Sequence, residues 1–156
     1  MGGAVETTSV DLAKRSRELS TAHFEATGFS MGNHRLAVMD VFDYFKYAKK
    51  KGLSYDLIVI DPPSFARNKK RTFSANKDYH KLIAQSLDIL SEHGTIIAST
   101  NAANMTVQQF KKQLRKGLGD VSADFVNLQQ LPADFTVNPN DPTSNYLKVY
   151  TIKVNK

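Results

Sequence analysis

A short turn, Asp61-Pro62-Pro63-Ser64-Phe65, carries the side chains in this sequence that are best suited to chemistry. The Asp61 carboxylate and the Pro62 carbonyl can accept hydrogen bonds from an amine or a ring N–H, which would turn a nitrogen lone pair toward an electrophilic methyl group. Phe65 could stack on a base taken out of its helix. The turn therefore suits methyl transfer to a planar nitrogen, and the alternative is a rigid turn with a buried Phe65.

The position of Asp61 strengthens this interpretation. Tyr55 to Ile60 is an aliphatic, β-branched run that is typical of a strand buried on both faces. Pro62 and Pro63 have no backbone N–H, so the pairing of that strand must end there. We therefore expect Asp61 at the carboxyl end of a central strand, where open α/β sheets bind their ligands.

The segment after the turn, Ala66 to Lys77, is basic and contains no acid. Phe73 lies within it, among the cations Arg67, Lys69, Lys70, Arg71 and Lys77. Cations with an interleaved aromatic residue, next to a candidate catalytic turn, favour contact with a phosphate backbone. The alternative is an ordinary solvated loop.

Acids also follow the two strands predicted before Asp61. Asp11 follows Thr7 to Val10, and Asp40 follows Arg35 to Met39. Because parallel strands end at one edge of a sheet, we expect the three acids to lie close together. A carboxylate there can hold a ribose diol through two hydrogen bonds, and Asp40 can accept one from an adenine amine. Either acid could instead cap the helix that follows it.

Polar residues at the end of the next strand are less specific. Asn101 and Asn104 follow Thr95 to Ser99, and their amides could hold the edge of a base or make ordinary turn contacts. The histidines lie on separate elements without metal-ligand spacing, so no metal site is predicted: His23, His34, His80 and His93. His93 precedes Gly94 in what we predict to be the last turn of a helix, where it suits the helix dipole.

The elements that must position these residues alternate between strand and helix. Hydrophobic periodicity, with glycine stops and a Thr106–Gln109 capping box, predicts helices at Leu12–Thr27, Val41–Lys51, Asp78–Glu92 and Val107–Leu118. The predicted strands are Thr7–Val10, Arg35–Met39, Tyr55–Ile60, Thr95–Ser99, Ala123–Gln130 and Tyr146–Val154, with loops at Pro62–Lys77 and Pro132–Asn145. This order predicts one α/β domain over residues 1–156, with a mostly parallel, Rossmann-like sheet and an antiparallel pair at its C-terminal edge.

The composition narrows the function classes. A hydrophobic content of 41% and a charged content of 23% are those of an ordinary globular domain. The sequence has no cysteine, which excludes disulfides, thiolate metal ligands and a cysteine nucleophile. A net charge of +6 favours a polyanionic partner. No signal peptide or membrane-spanning run is recognisable, so a cytoplasmic location is expected.

These segments, in this order, resemble a class I S-adenosylmethionine-dependent methyltransferase. More closely, they resemble the catalytic domain of bacterial 23S ribosomal RNA methyltransferases that carry an N-terminal PUA domain. The resemblance runs from Ser9 to the C-terminus, and the matching segments are Ser9–Ser16, Asp40 to Phe42, Asp61–Phe65 and Ser99 to Asn101.

The resemblance implies S-adenosylmethionine as cofactor and a role for each matched residue. The implied catalytic residues are Asp61, Pro62, Pro63 and Phe65. The implied cofactor-binding residues are Asp11, Leu12, Asp40, Val41 and Asp61. The implied substrate-binding residues are Ser64, Arg67, Lys69, Lys70, Arg71 and Asn101, and no metal is implied.

The sequence departs from the family in two places. Relatives that methylate carbon 5 of cytosine use a cysteine where this chain has Asn101, and that reaction needs the thiolate to activate the ring. The family's first strand and glycine-rich segment would precede Met1, and Gly2 and Gly3 do not replace them. We therefore expect a partial domain with impaired cofactor binding, whose sheet closes its gap directly or recruits a second copy as a homodimer.

The sequence thus predicts a methyltransferase that acts on a base nitrogen of ribosomal RNA, 23S by resemblance, without membrane or metal partners. Two alternatives stay open. One is a catalytically silent RNA-binding module that keeps only the basic segment. The other is a methyltransferase of protein side-chain amides, because a Pro-Pro turn with an aromatic residue could hold such an amide too.

Overall fold

The computed structural model describes residues 3–68 and 71–156, which form two compact units. The first unit ends at Lys51 and the second begins at Gly52. In chain order the elements are β1 (Thr7–Asp11), α1 (Lys14–Thr27), β2 (His34–Val38), α2 (Val41–Lys51), β3 (Tyr55–Ile60), β4 (Phe65–Arg67), β5 (Thr72–Ser74), α3 (Ala75–Leu87), β6 (Leu90–Thr100), α4 (Val107–Leu118), β7 (Ser122–Gln129), a short 3₁₀ helix (Pro142–Ser144) and β8 (Lys148–Asn155).

The first unit is built on a parallel pair of strands. β1 and β2 pair from Thr7 opposite His34 to Asp11 opposite Val38. α1 connects them and ends at Gly28, whose φ of 70° is a left-handed conformation that glycine adopts readily. None of the side chains of α1 is buried. In contrast, α2 buries Phe42, Tyr44, Phe45 and Ala48.

The second unit contains a four-stranded sheet in the order β3-β6-β8-β7. β3 and β6 are parallel, whereas β8 runs antiparallel to both β6 and β7. The last strand therefore inserts beside β6 and places β7 at one edge of the sheet, while β3 lies at the other edge. The expectation that Tyr55 to Ile60 is a central strand buried on both faces is wrong for this sheet of the described residues, because Leu57 and Val59 are 52% and 62% exposed. The predicted α/β class, with parallel pairing and an antiparallel pair at the C-terminal edge, is confirmed.

Two helices close the core of the second unit. The ring of Phe110 on α4 lies edge-on to Tyr79 of α3, with centroids 4.9 Å apart, and 5.9 Å from Tyr150 of β8. α3 and α4 touch at Gly117, where an added Cβ would lie 2.5 Å from the Cβ of Ile83 and 2.6 Å from the carbonyl oxygen of His80. Glycine at this position therefore permits the close packing of the two helices.

The predicted loop from Pro62 to Lys77 is wrong. β4 and β5 form an antiparallel hairpin inside it, with Phe65 opposite Ser74 and Arg67 opposite Thr72. α3 then begins at Ala75, three residues before its predicted start. Each of these strands spans only three residues, which is too few for an alternating hydrophobic pattern to be recognised in the sequence.

The boundary between α3 and β6 is also corrected. α3 ends at Leu87 and β6 begins at Leu90, so Gly94 lies inside the strand and does not stop a helix. His93 also lies in this strand, with a positive φ of 57°, and not at a helix terminus. The cause is tertiary: the N–H of Tyr55 donates to the carbonyl of Ile89 (2.9 Å), and Tyr55 pairs with Leu90.

The other elements agree with the prediction more closely. α2, β3 and α4 have their predicted bounds at both ends. The capping box of α4 is present, because the N–H of Gln109 donates to Thr106 Oγ1 (3.1 Å) and the N–H of Thr106 donates to Gln109 Oε1 (2.8 Å). In the described part of the chain, no helix has both the length and the apolar character needed to cross a bilayer.

Candidate active site

Asp61 lies where β3 ends, and the neighbouring strand fixes its carboxylate. The parallel register sets Ile60 opposite Ala98, so the next residues, Asp61 and Ser99, are neighbours. Ser99 Oγ donates a hydrogen bond to Asp61 Oδ1. This contact holds one carboxylate oxygen in place, and a carboxylate retains further lone pairs for a ligand.

A second pair of contacts holds the rest of the turn. Ser64 Oγ donates to Asn101 Oδ1 (2.8 Å), which ties the turn to the chain after β6. The carbonyl of Ser64 accepts from the N–H of Ala75 (3.0 Å), the first residue of α3. The turn is therefore attached to β6, to the segment after it and to α3, as a binding site on rigid elements requires.

Tyr79 of α3 fastens the two strands together beneath this turn. Its hydroxyl lies 2.8 Å from the carbonyl oxygens of both Ile60, which precedes Asp61, and Ser99, which holds the Asp61 carboxylate. Burial raises the pKa of the Tyr79 hydroxyl well above its usual value, and the negative charge of Asp61 raises it further. The hydroxyl therefore stays protonated and donates.

The exposure of the side chains in the turn distinguishes between the methyl-transfer interpretation and a rigid structural turn. Phe65 is 62% exposed, which disagrees with the alternative of a rigid turn with a buried Phe65. Asp61 and Pro63 are exposed as well, and Pro62 is half-buried. Phe73 is only 7% exposed and lies in the core, so it is not available for stacking.

The basic segment forms the hairpin of β4 and β5. Its tip is closed by the N–H of Asn68, which donates to the carbonyl of Arg71 (3.0 Å), and by the N–H of Arg71, which donates to Asn68 Oδ1 (2.8 Å). Arg67 is exposed on β4. The predicted contacts Lys69 and Lys70 lie outside the described residues.

In the first unit, Asp11 and Asp40 make local hydrogen bonds. Asp11 Oδ1 accepts from the N–H of Ala13 (2.8 Å) and Asp11 Oδ2 from Ser16 Oγ (2.6 Å). The Ala13 N–H, then the Ser16 hydroxyl, lower the pKa of Asp11. Asp40 Oδ1 accepts from the N–H of Phe42 (3.0 Å) at the start of α2. Both acids therefore have the helix-start contacts named as the alternative to ligand binding, and their role toward a ligand stays a prediction.

The structure also places the remaining predicted site residues. Leu12, next to Asp11, is 53% exposed, and Val41 begins α2. Asn104 Oδ1 accepts from Asn76 Nδ2 (3.0 Å), so this asparagine makes an ordinary contact between two segments. Only Asn101 of the two asparagines contacts the turn.

Sequence reasoning missed the buried polar groups around the end of β6. Ser99, Thr100 and Lys148 are all buried there, at 8%, 0% and 3% exposure. Tyr79 lies in the predicted helix Asp78–Glu92, where the apolar periodicity accounts for its burial but not for the partners of its hydroxyl. A signal for Lys148 was present, because it shares the alternating phase of Tyr150 and the other buried residues of β8.

The parallel strand pairs, with an acid and a Pro-Pro turn at the end of β3, agree with the resemblance to S-adenosylmethionine-dependent methyltransferases that the sequence shows. The chain belongs to the S-adenosylmethionine-dependent methyltransferase family, whose model matches residues 1–149. The predicted family and its cofactor are thereby confirmed.

Individual relatives narrow the comparison. YwbD of Bacillus subtilis, named as a candidate ribosomal RNA large subunit methyltransferase, is 42% identical over 98% of this chain and 39% of its own length. Ribosomal RNA large subunit methyltransferase K of Neisseria meningitidis is 30% identical over 86% of this chain and 37% of its own. SMU.776, a candidate methyltransferase crystallised with SAH, is 69% identical with a TM-score of 0.95 over 99% of this chain and 40% of that one. The chain thus spans about two fifths of the length of these relatives.

Proposed function

We propose that the protein transfers a methyl group from S-adenosylmethionine to a base nitrogen of ribosomal RNA, at the turn from Asp61 to Phe65. The observation that carries the proposal is that this turn combines a fixed acid with an exposed aromatic ring. The Asp61 carboxylate is anchored by Ser99 in a residue that is exposed, and Phe65 in the same turn is 62% exposed. An aromatic face next to fixed acceptors suits a flipped base.

The turn supplies orientation. Asp61 and the Pro62 carbonyl accept hydrogen bonds from N–H groups of the base, and Phe65 stacks on its face. Pro63 keeps the backbone rigid, and Ser64 with Asn101 contacts the base edge. A base nitrogen needs its lone pair aligned with the methyl donor but no covalent activation. Asn101 stands where cytosine carbon-5 enzymes need a thiolate, which supports a nitrogen target.

The first unit offers groups that fit the nucleoside of the cofactor. Asp11 borders a cavity of about 170 Å³ that is also lined by Ser9, Ser16 and Ser20. The two oxygens of Asp11 accept from the Ala13 N–H and the Ser16 hydroxyl, and a carboxylate has further lone pairs that can accept from a ribose hydroxyl. Leu12, Asp40 and Val41 complete the proposed contacts. When bound, the cofactor supplies a sulfonium methyl group that a nitrogen lone pair can attack.

The RNA assignment is supported by charge and by the names of the relatives. Arg67 and Arg71 lie on the hairpin that follows the turn, in a chain with a net charge of +6. Lys69 and Lys70 extend the same basic run in the sequence. These cations suit contacts with the phosphates that flank the target nucleotide.

Replacement of the acid tests the proposal. In the protein as encoded by its own gene, Asp61→Ala should abolish methyl transfer to ribosomal RNA while RNA affinity stays unchanged, because Asp61 orients the base and the cations bind the backbone. Filter binding and methyl incorporation measure the two quantities. Methylation that survives in Asp61→Ala would contradict the role given to this turn. A wild-type protein that binds ribosomal RNA without methylating it would support the silent RNA-binding module instead.

Salt dependence separates RNA from a protein amide substrate. Each phosphate contact to single-stranded RNA contributes a slope of about −0.7 to log K against log salt. We expect Arg67→Ala to make this slope shallower by about 0.7. Lys50→Ala, on α2 in the other unit, is the matched control and should leave the slope unchanged. An affinity that is insensitive to salt would favour the amide substrate.

A further inference from the structure

Lys148 lies on the buried face of β8, where apolar side chains are expected. Along β8 the buried residues are Lys148, Tyr150, Ile152 and Val154, which alternate with more exposed ones. Lys148 is 3% exposed and is the one charged side chain in the buried class of the described residues. Burial of an ammonium group is unfavourable unless hydrogen bonds compensate, so the contact it makes needs a reason.

That contact is with the chain that follows the end of β6. Antiparallel pairing places Lys148 opposite Thr100, and Lys148 Nζ donates to the carbonyl of Ala102 (2.8 Å). Over residues 3–68 and 71–156, this is the hydrogen bond that the ammonium makes, and no carboxylate is paired with it. A lysine reaches from the last strand to hold a single backbone carbonyl.

The held carbonyl belongs to a compact turn. The carbonyl of Ala102 also accepts from the N–H of Met105 (3.1 Å), and the N–H of Ala102 donates to Thr100 Oγ1 (3.3 Å). Ala102 and Met105 are buried, at 3% and 1% exposure. Asn101, which precedes the held residue, is therefore fixed in the direction that meets Ser64.

We propose that Lys148 is a positioning residue of the methyl-transfer site: it holds Ala102 so that Asn101 faces the turn from Asp61 to Phe65. The inference rests on the proposed function for its catalytic consequence. Its structural part, the placement of Asn101, is independent of any reaction. The ammonium is kept in the core because an apolar residue would fill the space without holding the carbonyl.

The sequence permits a chemical test, because it has no cysteine. A single Lys148→Cys replacement can be alkylated in denaturant with 2-bromoethylamine, which rebuilds a lysine-length ammonium, or with 1-bromopropane, which rebuilds the same length without charge. Lys148→Met provides a second, unmodified apolar variant. The protein as encoded by its own gene is used throughout, and any cysteine outside these 156 residues is replaced by serine in the wild type and in every variant. Thermal melting establishes that each form is folded.

We expect Lys148→Met and the propylated form to shift the side-chain amide NMR signals of Asn101. We also expect kcat to fall roughly 10- to 100-fold, the size of effect that a 1 Å misplacement produces, with KM for S-adenosylmethionine unchanged. The aminoethylated form should restore both the signals and kcat.

Equal rescue by the propyl group would show that Lys148 only fills space, and this would overturn the proposal. Unshifted Asn101 signals in Lys148→Met would do the same. If the wild-type protein transfers no methyl group to RNA, the proposed function fails, and the NMR comparison still decides whether Lys148 positions Asn101.

Discussion

At the scale of single residues, the site depends on one acid that is held from two directions. Ser99 Oγ fixes the carboxylate of Asp61, and the hydroxyl of Tyr79 holds the backbone carbonyls of Ile60 and Ser99 on the two strands that carry this contact. Asp61 can therefore meet a base without first losing its own conformational freedom, which is the advantage of a preorganised site.

Tyr79→Phe tests the second of these contacts. Removal of the hydroxyl takes a hydrogen bond away from the backbone carbonyls of Ile60 and Ser99, so we expect a loss of about 1–3 kcal/mol in the free energy of unfolding. Urea denaturation measures it. Tyr146→Phe is the control, because among the described residues the Tyr146 hydroxyl has no hydrogen-bond partner, and stability should change little. Equal effects of the two changes would contradict the role given to Tyr79.

Lys148 should leave a signature in the pH dependence of stability. Burial lowers the pKa of Lys148 below its usual value of 10.5. Between the lowered folded pKa and 10.5 the unfolded chain binds more protons, so the contribution of Lys148 makes the free energy of unfolding rise with pH in that window.

Lys148→Met should abolish this rise. Denaturation of both proteins in steps up to pH 10 measures the difference between their free energies of unfolding. Because the buried tyrosines are common to both proteins, their opposing effect cancels in this difference. Parallel stability curves for the wild type and Lys148→Met would contradict the burial of a charged lysine.

At the scale of elements, the sequence predicted those helix and strand ends that are determined by residues at the end itself. Gly52 and the Pro62-Pro63 pair mark the ends of α2 and β3, and the capping box marks the start of α4, so their bounds agree with the structure. The end of α3 could not be predicted in this way. Pairing of Tyr55 with Leu90 draws the chain after Leu87 into β6, and this pairing is remote in sequence.

The residues of the candidate site also fall into two groups, those that a local sequence feature predicts and those that depend on tertiary structure. Asp61 and the turn after it are predictable, because the end of a strand is a local feature. The partners Ser99, Tyr79 and Lys148 depend on strand register and helix packing, which no short segment encodes.

Gly117→Ala tests the packing of α3 against α4. The added methyl group would meet the Cβ of Ile83 at 2.5 Å and the backbone carbonyl of His80 at 2.6 Å, so the helices must separate. We expect a loss of about 1–3 kcal/mol, although alanine is the better helix former. Lys116→Ala, at the exposed neighbouring position, should be nearly neutral in the same denaturation experiment. A Gly117→Ala protein as stable as the wild type would show that the helices are not in close contact.

At the scale of the whole molecule, β3 presents an unusual surface. It lies at the end of its sheet, and Leu57 and Val59 on one face are 52% and 62% exposed. Adjacent exposed aliphatic residues on an edge strand favour association with another chain.

We therefore expect this chain to self-associate in a concentration-dependent manner, which corresponds to the second of the two alternatives in the sequence analysis, recruitment of a second copy. Leu57→Ser with Val59→Thr should shift sedimentation toward the monomer, whereas Val126→Thr, an exposed residue of β7 at the opposite edge, should not. A wild-type chain that sediments as a monomer at all concentrations would contradict this expectation.

The most direct test of the central claim is the fate of a labelled methyl group. The protein as encoded by its own gene is incubated with ribosomal RNA and S-adenosylmethionine labelled in the methyl group, and the digested nucleosides are separated by chromatography. The account predicts label in a nucleoside methylated at a base nitrogen, and none with Asp61→Ala. Label in 5-methylcytidine, or undiminished label with Asp61→Ala, would contradict it.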